Sequence, residues 1–215
     1  MFFGSTALAL ALAVAQADRM PPAPAPRAYV QPAFVFLIQP AAKEYGYRTS
    51  PNLSGHAPGM MVSAGGFLSR KLALEGEFVY AGTVSKAQEF SYSFQIDYTA
   101  KNRDLLFNEL LRFRPRSGFE IVGGGGLART TAMKVSQVWT GGFPHTTGTI
   151  LPDESVTVNS FTLTGGVDAA VPASSRVALT PSFRVRWVHR PTISGNGWNG
   201  ASPYSIQLGV GVRFR

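Results

Sequence analysis

The stretch that most limits what this chain can fold into is its last one, from Tyr204 to Phe214. Tyr204, Ile206, Leu208, Val210, Val212 and Phe214 are large and apolar; Ser205, Gln207, Gly209, Gly211 and Arg213 between them are small or polar. Successive side chains of a strand point to opposite faces, so this is a strand with one oily and one wet side. Its length suits a tilted strand crossing a bilayer, roughly 9–11 residues. Aromatic residues at both ends of the oily side suit the two membrane–water interfaces. A half-buried strand of a soluble sheet carries the same pattern, so the rest of the chain has to decide.

The pattern recurs. Alternation predicts strands at Met60–Leu68, Leu72–Tyr80, Asp104–Arg114, Phe119–Arg129, Ser160–Val171 and Val177–Trp187. Tyr29–Ile38 makes the eighth, although Pro32 demotes its start and its end alternates poorly. Short turns are expected at Ser69–Lys71, Pro115–Ser117 and Pro172–Ser175. Long loops are expected at Gln39–Pro58, Ala81–Arg103, Thr130–Asn159 and His189–Pro203, with Phe90–Tyr98 extending its neighbours as a hairpin. Long and short connections alternate, which puts all the turns at one end of an up-and-down array and all the loops at the other. The expected fold is therefore all-β: a closed antiparallel up-and-down barrel of about eight strands, transmembrane.

The faces set the chemistry. The wet sides carry Glu75, Glu77, Glu120 and Asp168, and also Arg112, Arg114, Arg184, Arg186 and Arg213. Large apolar residues share the opposite sides. Closure removes unpaired backbone edges, which lipid does not tolerate. Eight strands leave an interior just wide enough for side chains. Charges enclosed there must pair, so an internal network of these acids and arginines is expected. Two positions fit badly. Glu109 falls on the oily side, and a bulge is expected to shift it. Pro181 sits within a paired strand, where a bulge is again expected. The run Gly123–Gly126 is no phosphate loop, since no Lys-Ser/Thr and no helix pattern follow it; glycines there make room for bulky neighbours or relieve bending.

The N-terminus, residues 1–17, looks like a secretory signal. Ala7–Ala15 is an apolar core and Ala15-Gln16-Ala17 a cleavage-like site, although no Lys or Arg precedes it. Residues 18–28 form a Pro/Ala-rich linker, and residues 29–215 the barrel domain. A net charge of +8 would suit nucleic acid, but the basic residues alternate within strands rather than cluster, so no nucleic-acid partner is expected. The chain has no cysteine, which excludes disulfides and thiolate chemistry.

The leader, the alternating strands, the glycine-rich central strand and the terminal strand ending near Phe214 resemble the small outer-membrane barrels of the OmpA/OmpX type. The resemblance implies residence in the bacterial outer membrane, with lipid and the barrel-assembly machinery as partners. It also implies that Tyr204, Leu208, Val210, Val212 and Phe214 form the signal that machinery reads, although Arg215 follows the aromatic that usually ends it. The expected function is non-enzymatic: a monomeric structural or surface-interaction barrel whose lumen is plugged by charge or leaves a narrow pore. The long loops, with Trp139, His145, Trp198 and Asn199, would be the contact surface for an unidentified partner. No catalytic residue, metal or cofactor is expected. Two other readings stand beside this one. One is a soluble lipocalin-like carrier with the oily side turned inward. The other is a lipid-modifying barrel enzyme using His56, His145 or His189 at the outer rim.

Overall fold

A computed structural model describes residues 28–40, 54–91, 95–140, 147–150, 154–189 and 202–215. The expected leader and linker before Ala28, and His145, Trp198 and Asn199, lie outside the described residues. All regular elements among those described are strands: β1 (Ala28–Gln39), β2 (Gly55–Phe67), β3 (Leu72–Ala81), β4 (Val84–Ser91), β5 (Gln95–Arg116), β6 (Phe119–Thr140), β7 (Thr147–Ile150), β8 (Glu154–Ala169), β9 (Val171–Pro172), β10 (Val177–Val188) and β11 (Tyr204–Phe214).

Eight of them close a barrel in the order β1-β2-β3-β5-β6-β8-β10-β11, with β11 pairing back onto β1 and every neighbour antiparallel. Following the pairs around the wall leads from Ala28 through Gly66, Leu74, Leu111, Gly123, Gly165, Val185 and Ile206 to Ile38. The path returns to β1 ten residues further along than it left. That stagger tilts the strands by roughly 40° and sets a lumen that side chains can fill.

The phase follows the alternation in the sequence. Phe34, Leu74, Phe78, Phe107, Leu111, Phe161, Leu163, Phe183 and Val210 face outward and are exposed. A carrier with an oily cavity needs the reverse arrangement. On β1 the alternation is regular from Ala28 to Gln39, irregular though its sequence looks. Pro32 points outward, and the β1–β11 ladder is interrupted at Gln31 and Pro32, so no bond waits for the missing N–H. Pro181 is explained in the same way. Its expected bulge is absent: the β10 register is unchanged on either side of Thr180 and Pro181, and the ladder is simply broken there.

The bulge expected near Glu109 is absent as well. Register between β5 and β6 is continuous from Gln95–Trp139 to Phe113–Ile121, and Glu109 stays exposed on the outer face. The register shift comes later, between Phe113 and Arg116. It leads into a turn at Ser117-Gly118, where Gly118 takes φ 77°, a conformation that only glycine adopts cheaply.

Two expected loops are largely strand. β5 and β6 have 22 residues each, roughly 70 Å at the rise of an extended chain. The strand pairing expected over Phe90–Tyr98 is present, with Phe90 opposite Ile96, while residues 99–103 and 130–140, expected as loop, continue β5 and β6, and Trp139 pairs with Gln95 and Gly148. β4 prolongs β3 along β5, and β7 prolongs β8 along β6. Between β3 and β4 the register slips by one, with residues 81–83 opposing Arg103 and Asp104, which makes a bulge at the rim. The result is a sheet standing well beyond the barrel at the long-loop end.

Candidate functional site

The lumen changes character along its length. Toward the short-turn end the inward residues are Tyr29 and Gln31 on β1, Glu75 and Glu77 on β3, Arg112 on β5, Glu120 on β6, Asp168 on β8, Arg184 and Arg186 on β10, and Arg213 on β11, all buried. Further along the same strands come Val35, Val79, Leu106, Ala128 and Val188, which cluster with Ala33 and Met61 into an apolar layer. Beyond it, Gln39, Asn102 and Asp104 form a polar mouth.

Arg112 is the hub of the charged part. Its Nη1 donates to Glu120 at 2.6 Å and to Asp168 at 2.5 Å, and its Nη2 donates to Glu75 at 2.5 Å. Its Nε lies 3.0 Å from both Glu75 Oε2 and the Tyr29 hydroxyl, which itself donates to Glu75. Arg184 forks onto both oxygens of Asp168 and reaches Glu77 at 3.7 Å. Arg186 donates to Glu77 at 2.8 Å, to Gln207 at 3.1 Å and to Thr164 at 3.1 Å. Arg213 bridges Glu120 at 2.9 Å and Gln31 at 2.9 Å, and its guanidinium lies 4.8 Å from the centre of the Tyr29 ring. Arg114, half-buried at the rim, also holds Glu120, at 2.6 Å, and covers Phe67 at 4.7 Å. Four buried carboxylates thus meet four buried guanidiniums, the balance a low-dielectric interior requires.

The geometry therefore gathers all nine charged residues that the sequence marks. Tyr29, Gln31 and Asn108 belong to the same constellation without having been marked as inward, and Gln207, on the wet side of the last strand, joins them. The signal for the first two was the alternation of β1, obscured by Pro32. Glycine supplies the space: a Cβ on Gly65 would strike the Tyr29 hydroxyl, the Tyr29 ring and the Leu74 carbonyl at 2.5–2.8 Å, and one on Gly166 would strike the Arg184 side chain at 2.9 Å. Tyr204, Val210, Val212 and Phe214 are exposed on the outer face, and Leu208 is half-buried there. His56 stacks on Phe36 at 5.2 Å, and His189 leans on Trp187 at 5.8 Å, both at the long-loop end. Among the described residues no group of three or more His, Cys, Asp or Glu side chains is arranged to hold a metal.

An oily exterior, a polar interior and full closure are the arrangement of a barrel solvated by lipid. Residues 5–214 match the profile of the outer membrane protein beta-barrel domain. The chain belongs to that family. This outer membrane β-barrel is accordingly a protein of the bacterial outer membrane. Ail, the attachment invasion locus protein of Yersinia pestis, has a similar fold: 15% identity, TM-score 0.50, covering 88% of this chain and 100% of Ail. Ail has also been solved in complex with the heparin analogue sucrose octasulfate. A major outer membrane protein from Thermus thermophilus aligns at 13% identity and TM-score 0.48, over 86% of this chain and 98% of its own. OprG from Pseudomonas aeruginosa aligns at 12% and 0.44, over 87% and 95%. No curated protein matches the chain by sequence.

Proposed function

We propose that this barrel is a non-enzymatic membrane scaffold with a closed lumen, and that its projecting sheet is the working surface. The observation that carries the closed lumen is the arrangement around Arg112. One guanidinium draws together carboxylates from β3, β6 and β8, and the apolar layer of Val35, Val79, Leu106 and Val188 lies directly beyond. An ion would have to break paired charges and then cross an oily layer.

The test is planar-bilayer conductance of the purified protein. Wild type should give no conductance steps. Glu75→Gln and Arg186→Ala should give none either, because the apolar layer persists. Steps in wild type whose selectivity shifts in both variants would replace the closed lumen with a charge-gated pore.

The working surface is supported by the sheet of β4, β5, β6 and β7, where exposed Arg103 and Arg129 mark the point at which the hairpin leaves the oily band. These cations suit a sulfated or phosphorylated surface glycan. The sulfated ligand seen with Ail makes a sulfated oligosaccharide the first compound to try. Salt-sensitive binding that falls in the Arg103→Ala, Arg129→Ala double variant is the expected result; binding unchanged by it removes this surface from the function.

A further inference from the structure

The outer face of β5 reads Leu105, Phe107, Glu109, Leu111, Phe113. Phe107, Leu111 and Phe113 are 43–53% exposed, and Glu109 is exposed among them. Each step between outward side chains is roughly 7 Å along the strand, or about 5 Å of depth at the tilt of this barrel. Glu109 therefore has about 10 Å of oily wall on either side, which places it near the middle of the hydrocarbon. It makes no hydrogen bond or ion pair with any described residue. Arg103 and Arg129, on the same hairpin, lie at the upper edge of the band instead. An ionisable side chain at this depth is costly and marks function unless a partner satisfies it.

Its neighbours across the ladders carry no side chain. Glu109 is flanked in register by Gly76 and Gly125, and the next row carries Gly123 beside Gly165. The inward glycines have packing reasons, and so does Gly125, where a Cβ would come within 2.9 Å of the Thr162 carbonyl and 3.2 Å of the Phe161 ring; the other outward ones, Gly76, Gly123 and Gly165, differ. A Cβ on Gly76 would meet nothing nearer than 4.0 Å, one on Gly123 nothing nearer than 3.9 Å, and one on Gly165 nothing within 4 Å. Bare backbone weakens a strand and sacrifices contact with lipid, so the barrel itself does not call for it. The trough continues into an apolar surface groove of about 720 Å³ over Gly165, walled by Leu163, Phe183, Val185 and Trp187.

We propose that this trough is a contact face between two copies of the chain within the membrane, with the Glu109 side chains meeting across a twofold axis. Two carboxyl groups sharing a proton supply each other with the donor and the acceptor that lipid lacks. A twofold contact uses one patch twice, so a face carrying its own complement suffices. The glycines let two backbones approach closely enough for short side chains to meet, as small residues do between membrane helices. The monomer expected from the sequence then becomes one half of a pair.

The chain has no cysteine, so a single introduced thiol reports one position. The full protein is reconstituted in phosphatidylcholine liposomes, folding is checked by heat-modifiable migration, and oxidative cross-linking is measured. Gly76→Cys should form a disulfide-linked dimer, whereas Val210→Cys, on the exposed outer face of β11, should not. Glu109→Leu placed in the Gly76→Cys background should lower the cross-linked fraction at least tenfold. Glu109→Gln should preserve it, because paired carboxamides also donate and accept. Gly123→Leu, which fills the trough but leaves the carboxyl in place, should lower it as Glu109→Leu does. Equal cross-linking at Gly76 and Val210, a folded Gly76→Cys protein that stays uncross-linked, or a yield unmoved by Glu109→Leu overturns the proposal.

Discussion

Arg112 and Asp168, 56 residues apart in sequence and two strands apart around the wall, meet in the lumen with Nη1 2.5 Å from Oδ2. The same guanidinium holds Glu75 and Glu120. Asp168 also has Arg184, and Glu120 also has Arg213 and Arg114, but among the described residues Glu75 has no cation besides Arg112. Arg112→Leu keeps the volume and strands Glu75, which is left with the Tyr29 hydroxyl alone. The expected loss is about 3–5 kcal/mol, the range for breaking a buried pair from one side. Arg112→Lys keeps the charge but cannot present the planar fork, so a smaller loss is expected. Urea unfolding in detergent micelles, followed by the gel shift between folded and unfolded barrel, measures both.

A second expectation separates charge from closure. The apolar layer lies beyond the ion pairs, so removing one charge disturbs stability without opening a path. Truncating the layer should do the opposite. Val35→Ala, Val79→Ala and Leu106→Ala together remove side chains that are 1%, 0% and 2% exposed, and they leave every ion pair intact. The triple variant should admit small solutes in a liposome-swelling assay that wild type resists. A triple variant as tight as wild type would assign closure to the ion pairs alone.

The sequence carried the barrel because lipid enforces it. Wherever a strand touches hydrocarbon, every second residue has to be oily, and Ser160–Val171 or Val177–Trp187 therefore announce themselves. The enforcement stops at the membrane surface. Lys101, Asn102, Arg103, Thr130 and Thr131 continue β5 and β6 with polar side chains, held by pairing to each other rather than by lipid. Nothing in their pattern separates strand from loop. The prolines misled for a related reason. Pro32 and Pro181 suggest distortion, yet each stands where a ladder is already open. Glu109 was visible as a misfit. The rule that made it a misfit also invited a repair by bulge, and the unbroken register from Gln95 to Phe113 denies that repair. The charged constellation was legible as a set of inward residues, but its pairing was not, since Arg112 and Asp168 meet only after the wall has closed.

Glycine spacing around the hub gives a third expectation. Gly65 leaves room for Tyr29, whose hydroxyl is shared with Glu75 and Arg112. Gly65→Ala places a methyl group against the ring and against the backbone carbonyl of Leu74, and neither can retreat far. A loss of roughly 1–3 kcal/mol is expected, as for other overpacked interiors. Tyr29→Phe in the same background keeps the ring clash but removes the hydroxyl contact. Partial recovery of stability in the double variant would show that the hydroxyl takes the strain, and it is measured by the same unfolding assay.

The last expectation concerns the terminal strand as a signal for assembly. Phe214 is 51% exposed on the outer face, opposite Val30 and Val177 at the short-turn rim. Arg215 follows it, its amide donating to the carbonyl of Arg176 at 2.9 Å. Burial, with Arg213 and Arg114 nearby, disfavours its charge and holds its guanidinium below the ordinary range. Removing Arg215 therefore costs one backbone bond and relieves like charge, so the folded barrel should change little in stability. A chain ended at Phe214 places the aromatic at its terminus, the form the signal takes in the barrels this chain resembles. If the machinery reads that aromatic, the chain ending at Phe214 should assemble into proteoliposomes at least as fast as the full chain, and Phe214→Ala should assemble several-fold more slowly. Spontaneous folding into detergent, where no machinery reads the strand, should hardly distinguish the three. A Phe214→Ala defect equally large in detergent would assign Phe214 to wall packing instead of recognition.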